Sequence, residues 1–323
     1  MAVTNFLVDA LSAYVEENRD LIIKGFALNN RGTRGIVGLQ TGVKGTMNLH
    51  SLDVDPIIQS AAECGFNPLD EVSIGERPIT VVPLKHDGQL CEKTLLGKYA
   101  QYLVRINATE QDFPYERYVI DALTDALNKK IETMIWQADV TNNGDPIDGW
   151  LAQFAADSDV DSSTLSGTSV YEDIQLVYSF LPEEAIERGA VIFVSPAIFR
   201  IFMMEMVAAN LYHYAGPGNQ PVDEFYFPGT DCRVIKTPGL AGSLTIVGTF
   251  AENLVYGTDM EGDAEDFDIW FSKDDRLWKW TSEWASGVSY HYPDQIVVGT
   301  IEMLPDLPAP CLCRPTGGSG PGE

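Results

Sequence analysis

From Pro114 to Asp139, apolar side chains recur every three or four residues. Tyr115, Tyr118, Val119, Ala122, Leu123, Ala126, Leu127, Ile131, Met134, Ile135 and Ala138 form one continuous stripe. Pro114 suits a first helical turn, and Asp112 is a candidate cap just before it. The pattern predicts a helix about 39 Å long at 1.5 Å per residue. Ile120 and Trp136 fall off the stripe, so a second face of this helix is expected to be covered, by a neighbouring element or by another chain.

Other stretches carry weaker periodicities. Thr4 followed by Phe6, Leu7, Ala10, Leu11, Tyr14 and Val15 predicts a short amphipathic helix, and Pro56 to Glu63 a second one ended by Gly65. Asn29 to Gly45, rich in Gly, Asn, Arg and Thr, is expected to be an arm without a packed element of its own. Ile79 to Leu84 is strand-like, Asp87-Gly88 carries the strongest short hairpin signal, and Gln89 to Leu95 returns, which predicts a projecting hairpin over about 74–105. Pro83 restricts its first strand to a sheet edge.

Ala155 to Ser169 is polar and loop-like. It is followed by a helix at about Tyr171 to Phe180, a short turn or helix at Pro182 to Arg188, the apolar strand Ala190 to Val194, and a helix from Ala197 to Tyr212. Ser195-Pro196 supplies the cap and first residue of that last helix, so Ser195 reads as a cap and not a nucleophile. After a Gly/Pro-rich loop at 215–230, strands are expected at Cys232 to Lys236 and Leu244 to Gly248. From Asn253 the pattern is β only, with turns at Gly257, Gly262, Lys273 to Asp275 and Ser286-Gly287. The tail from Pro305 to Glu323 is rich in Pro and Gly and is expected to be disordered in isolation.

Charge narrows the function. The chain has 323 residues with 47 acidic and 21 basic side chains, a net charge of −26, which opposes binding to phosphate backbones or anionic membranes. No apolar run reaches the ~20 residues needed to span a bilayer, and no signal peptide is indicated at the N-terminus. The 5 cysteines, Cys64, Cys91, Cys232, Cys311 and Cys313, are scattered and read as free thiols.

No motif for catalysis stands out. The four histidines, His50, His86, His213 and His291, lie in four separate segments, and the Walker, dinucleotide and nucleophile-elbow motifs are absent. Asp157, Asp159 and Asp161 mimic the start of a calcium loop, but Ser162 and Thr168 stand where it requires Gly and Glu. The acidic run Asp259 to Asp268 reads as a solvated hairpin tip. Trp270, Trp278, Trp280 and Trp284 read as filling a sheet's buried face or an interface, with a sugar-binding groove as the alternative. No catalytic, cofactor-binding or metal-binding residue is assigned.

The order of elements resembles the major capsid proteins of tailed double-stranded-DNA bacteriophages, which share the Hong Kong 97-type fold. The residues that carry this are Phe113 to Asp139, Ala190 to Phe202, Thr237 to Leu240 leading to Asn253 to Asp259, Gly287 to Tyr290, and Asp294 to Val298. The resemblance implies an α+β subunit with an N-terminal arm (1–45), a short helix and extended hairpin loop (46–106) and a peripheral domain (107–167) holding the spine helix 114–139. An axial domain (168–250), strands returning to the peripheral domain (251–301) and a flexible tail (302–323) complete it.

It further implies a structural protein, not an enzyme, whose hexamers and pentamers form an icosahedral shell around DNA in the virion, assembled in the host cytoplasm. Portal, separate scaffold and decoration proteins are the possible partners. Candidate subunit-contact residues are Lys85, His86, Asp87, Gly88, Ile120, Trp136, Trp278, Trp280 and Trp284. Lys85 or Lys93 could, by position, crosslink to a neighbour's Asn253. The alternatives are an encapsulin-type compartment, which shares the fold, and a carbohydrate-active enzyme.

Overall fold

The computed structural model describes residues 32–55, 57–58, 71–91, 115–211, 223–259, 266–275 and 277–302. The helix expected at 4–15, that expected at 56–63 except for residues 57 and 58, the acidic residues 260–265 and the tail from Pro305 lie outside them. After a 3₁₀ turn at Gly32–Gly35 come β1 (Gly38–Gln40), β2 (Thr46–Asp55), β3 (Glu71–Thr80), β4 (Val82–Cys91), α1 (Tyr115–Gln137), α2 (Val140–Asn143), α3 (Trp150–Ala156), β5 (Asp161–Leu165), α4 (Val170–Phe180), α5 (Glu183–Glu187), β6 (Ala190–Val194) and α6 (Pro196–Ala208). The chain continues through β7 (Glu224–Tyr226), β8 (Arg233–Lys236), β9 (Thr245–Phe250), β10 (Leu254–Thr258), β11 (Asp266–Ser272), β12 (Leu277–Tyr290) and β13 (Val297–Ile301).

A six-stranded mixed sheet, ordered β5-β13-β9-β6-β8-β7, forms the centre of one half. Strands buried on both faces read as continuous apolar runs, and β6 is buried at every residue. The strand period of two then splits its side chains: Ala190, Ile192 and Val194 pack with Ile174, Val177, Ile198 and Phe202 of α4 and α6. Val191 and Phe193 pack on the other side with Ile135 and Trp136 of α1 and Trp150 of α3. Ser195 is buried and its Oγ accepts the Ile198 N–H at 3.3 Å, as expected of a cap. Glu205 of α6 accepts hydrogen bonds from the Val170 and Tyr171 N–H groups and the Ser169 hydroxyl, which places a carboxylate at the positive end of α4.

The second sheet runs β1-β10-β12-β11, with β4 also on β12. Even-numbered residues of β12 from Trp278 to Tyr290 face inward, and Trp278, Trp284, Val288 and Tyr290 share a core with Ile131 and Ile135 of α1. The C-terminal part of the stripe read from the sequence, Leu127 to Ala138, is a face that α1 packs into the core, whereas Ala122 and Ala126 are exposed. Its second face is covered by the chain's own N-terminal segment. Trp136 Nε1 donates to Thr33 Oγ1 at 2.8 Å, and the Glu132 carboxylate accepts from the Thr33 N–H at 3.3 Å and from Arg34 Nε at 3.2 Å.

Several expectations are corrected. Ala155 to Ser169, read as a loop, holds β5, which pairs parallel with β13. The 29–45 stretch is not free of packed structure: Thr33 and Arg34 are buried, and β1 adds a parallel strand to β10. A buried charged pair with α1 replaces the apolar content the segment lacks. Asp87-Gly88 makes no turn, because β4 runs straight through it, paired with β12 from Val82↔Ser286 to Cys91↔Leu277. Gly88 stands opposite Trp280, whose indole lies where a Cβ would be, 2.3 Å from Cε2, so the glycine serves a close approach and not a reversal. The projecting ribbon is instead β2 with β3, in register from Thr46↔Thr80 to Asp55↔Glu71. Gly257 and Gly287 also lie inside strands: Ile79 fills the space beside the first, and the Thr80 carbonyl crowds the second.

Candidate subunit-contact surfaces

The β4–β12 pairing brings together two groups of candidates almost 200 positions apart in sequence. Lys85, His86, Asp87 and Gly88 stand opposite Glu283, Ser282, Thr281 and Trp280. Cross-strand partners share a face, so Lys85, Asp87, Thr281, Glu283 and Lys279 lie on the outer side with Trp270 of β11, which is 41% exposed. Asp87 accepts the Thr281 hydroxyl at 2.7 Å, and Lys85 Nζ lies 3.1 Å from its other oxygen. The Thr281 hydrogen bond, followed by Lys85, holds the Asp87 carboxyl below the usual carboxylate range. This outer face is hydrated, mixed in charge and weakly cohesive.

The inner face of the same strands belongs to the core. Trp278 and Trp284 are buried against α1, and Trp280 is half-buried over Gly88. Of the three, Trp284 alone reaches a groove, at its floor, and Trp278 and Trp280 do not line it. Trp136 is also corrected: it is fully buried, 4.8 Å from the Trp150 ring and 5.3 Å from Phe193, and offers no surface to a partner. Ile120 lies in α1, but its side chain is outside the described residues. His86 is exposed at the rim of a groove of about 480 Å³ between β4 and α1, floored by Leu84, Met134 and Trp284.

Two apolar surfaces were not singled out from the sequence. On the ribbon, Leu52 pairs with Ile74 at 61% and 66% exposure, beyond the point where the ribbon touches the body. On α6, Met204 and Val207 are 57% and 61% exposed, followed by Leu211 at 37%. The spacing of four and three residues was visible in the sequence. Ile198, Phe202 and Met206, which the sequence places together on one side of this helix, are the side that is buried, and Met204 and Val207 are left on the other.

The expected calcium mimic is spent on internal contacts: Asp157 accepts the Tyr290 hydroxyl at 2.7 Å and pairs with Arg77 at 2.7 Å. Among the described residues there is no group of three His, Cys, Asp or Glu side chains placed to hold a metal. Cys232 is buried, and desolvation pushes its thiol up to about 12.

No family model matches the sequence. No curated protein matches it. Solved structures do. A chain of the satellite phage P4 procapsid that includes the size determination protein aligns at a TM-score of 0.57 with 9% identity, over 90% of this chain and 100% of that one. The capsid of an empty GTA particle aligns at 0.53 with 8% identity, over 84% and 90%. A chain of Microbacterium phage Oxtober96 aligns at 0.54 with 12% identity, over 84% and 90%. The fold is that of phage capsid proteins. It is an α+β fold in which a spine helix, two mixed sheets and a projecting ribbon occupy one chain.

Proposed function

We propose that this chain is the major capsid protein of a tailed double-stranded-DNA bacteriophage, of the Hong Kong 97 type, whose copies assemble into an icosahedral shell around the genome. The observation that carries the reading is the shared fold over nearly the whole of both chains, 90% of this one and 100% of the P4 procapsid chain. The fold similarity takes in all of that chain and nine-tenths of this one, which is what a subunit performing the same mechanical task needs. On this reading β2 and β3 are the extended loop, α1 is the spine of a peripheral domain, and the six-stranded sheet with α4 and α6 is the axial domain. Portal, scaffold and decoration proteins are its further partners.

The net charge of −26 fits a wall that encloses DNA without adhering to it. Copies that repel one another must then cohere through uncharged surface. The exposed Leu52–Ile74 pair supplies such a surface on the ribbon, and Met204, Val207 and Leu211 supply one on α6. Fully burying one such aliphatic side chain is worth about 1.5–3 kcal/mol.

Expression followed by sedimentation and electron microscopy tests the proposal. Closed shells are expected at moderate to high salt, with a scaffold protein supplied if needed. Leu52→Asp together with Ile74→Asp is expected to leave a folded subunit and abolish shells. A strictly monomeric wild-type product across salt and scaffold conditions would overturn the reading.

A further inference from the structure

Among the described residues the β2–β3 ribbon pairs with no other strand, and an isolated two-stranded ribbon has little stiffness of its own. Its direction must therefore be set at its root. Three contacts lie there. Leu49 and Ile79 join Val43, Val81 and Val255 in a small apolar cluster. Ser289 Oγ donates to the Pro78 carbonyl at 3.1 Å. Arg77 Nη2 lies 2.7 Å from Asp157, with its guanidinium 4.2 Å over the Tyr290 ring.

Asp157 and Tyr290 belong to the body. Asp157 ends α3, and Tyr290 ends β12, with its ring 5.2 Å from Phe154. Trp150 and Gln153 of α3 donate to the Ser289 and Val288 carbonyls at 2.9 and 2.8 Å, which ties α3 to β12. The Tyr290 hydroxyl and the Asp159 N–H both donate to the same carboxylate, so its position is fixed before Arg77 arrives. Outward of Arg77, Glu76 bonds Asn48 and pairs with His50, contacts that stay inside the ribbon.

We infer that Arg77 is the positioning residue of the ribbon: clamped between Asp157 and the Tyr290 face, it sets the angle at which β2 and β3 leave the body. Apolar packing of Leu49 and Ile79 is non-directional and tolerates rolling. A planar guanidinium that must satisfy a carboxylate and stack on a ring does not. The six residue-to-residue steps from Arg77 to Glu71 span about 20 Å, so a change of about 20° at the clamp would carry the far end of β3 by about 7 Å. The consequence for assembly, that the Leu52–Ile74 pair meets a neighbouring copy in one place, rests on the capsid reading; the clamp itself does not.

Hydrogen–deuterium exchange on the unassembled full-length chain tests it, comparing wild type with Arg77→Ala, Arg77→Lys and Asp157→Asn. Arg77→Ala is expected to speed exchange about tenfold in 46–55 and 71–80 while 190–194 and 245–250 keep wild-type rates. Arg77→Lys keeps the charge without the planar stack and should fall between. Unchanged ribbon exchange in both Arg77→Ala and Asp157→Asn overturns the inference, as does acceleration of equal size in the six-stranded sheet. In assembly trials, malformed or absent shells from Arg77→Ala support the consequence, and normal shells despite a loosened ribbon refute it. A wild type that forms no shell while the exchange pattern holds would sink the capsid reading and leave the clamp standing.

Discussion

Replacing Glu132 by Ala removes the acceptor that holds the N-terminal segment on the spine helix. In the native subunit its carboxylate takes Arg34 Nε at 3.2 Å and the Thr33 N–H at 3.3 Å, and the two side chains of the ion pair are 7% and 4% exposed. Loss of one partner of a buried pair costs about 3–5 kcal/mol. Arg34 Nη2 keeps its 2.9 Å bond to Asn128, which places this case at the lower end, about 3 kcal/mol, or roughly a hundredfold in the unfolding equilibrium.

Urea unfolding of the unassembled subunit, followed by tryptophan fluorescence, measures it. The probe is well placed, since Trp136 donates to Thr33 beside the pair. Removing both charges, as Arg34→Met with Glu132→Leu, is expected to return stability to within about 1 kcal/mol of wild type. A loss below about 1 kcal/mol for Glu132→Ala, or a double variant worse than the single, would refute the argument that the Glu132 carboxylate holds the segment in place.

Gly287→Ala would set a Cβ 2.0 Å from the Thr80 carbonyl, a backbone atom that cannot rotate away, so a destabilisation of about 1–3 kcal/mol is expected in the same urea assay; wild-type stability would contradict the packing. Burial favours the neutral Asp157 carboxyl, but the Tyr290 and Asp159 hydrogen bonds and the Arg77 charge outweigh it and hold the group below its usual range. Its contribution is therefore complete above the unfolded value of about 3.9 and disappears as pH falls through the depressed folded value. Asp157→Asn should flatten that part of the acid unfolding curve, and an unchanged curve would count against it. Burial, and then the bond to Asp157, raises the Tyr290 hydroxyl, so its contribution is lost as pH climbs past about 10 and Tyr290→Phe should remove that loss. Cys232, with its thiol raised to about 12, should resist iodoacetamide at pH 8 until the chain unfolds; rapid native labelling at that residue would show the site to be open. Shell yield should rise with salt as repulsion among copies of net charge −26 is screened, and a yield that fell would point to cohesion by charged pairs.

Local signals sufficed for elements whose cause is local. The apolar stripe of α1, the Ser195-Pro196 start of α6 and the unbroken apolar run of β6 each depend on residues within a few positions of one another. Each is found close to where the pattern puts it. A strand's partner is a different kind of fact. Asp87-Gly88 has the composition of a turn, and only the presence of β12, with Trp280 lying over the missing Cβ, makes it the middle of a strand. Likewise the polar segment 32–40 looked unable to pack until Glu132, about a hundred residues away, supplied a buried counter-charge for Arg34.

The candidate surfaces divide in the same way. Lys85 and Asp87 lie on the outer face of β4 and His86 at a groove rim, within a strand and not at the hairpin tip, and Trp278 and Trp284 turn inward, because strand alternation identifies two faces without saying which one α1 covers. The exposed pair Leu52–Ile74 required the register of β2 on β3, which no single strand contains. Sequence alone therefore determined the spine helix, the helices α4 and α6 with the Ser195 cap, the buried strand β6 and the acidic character of the chain. The tertiary structure decided which strands meet, which faces remain open and where Arg77 clamps the ribbon, since these depend on contacts between residues the chain itself keeps far apart.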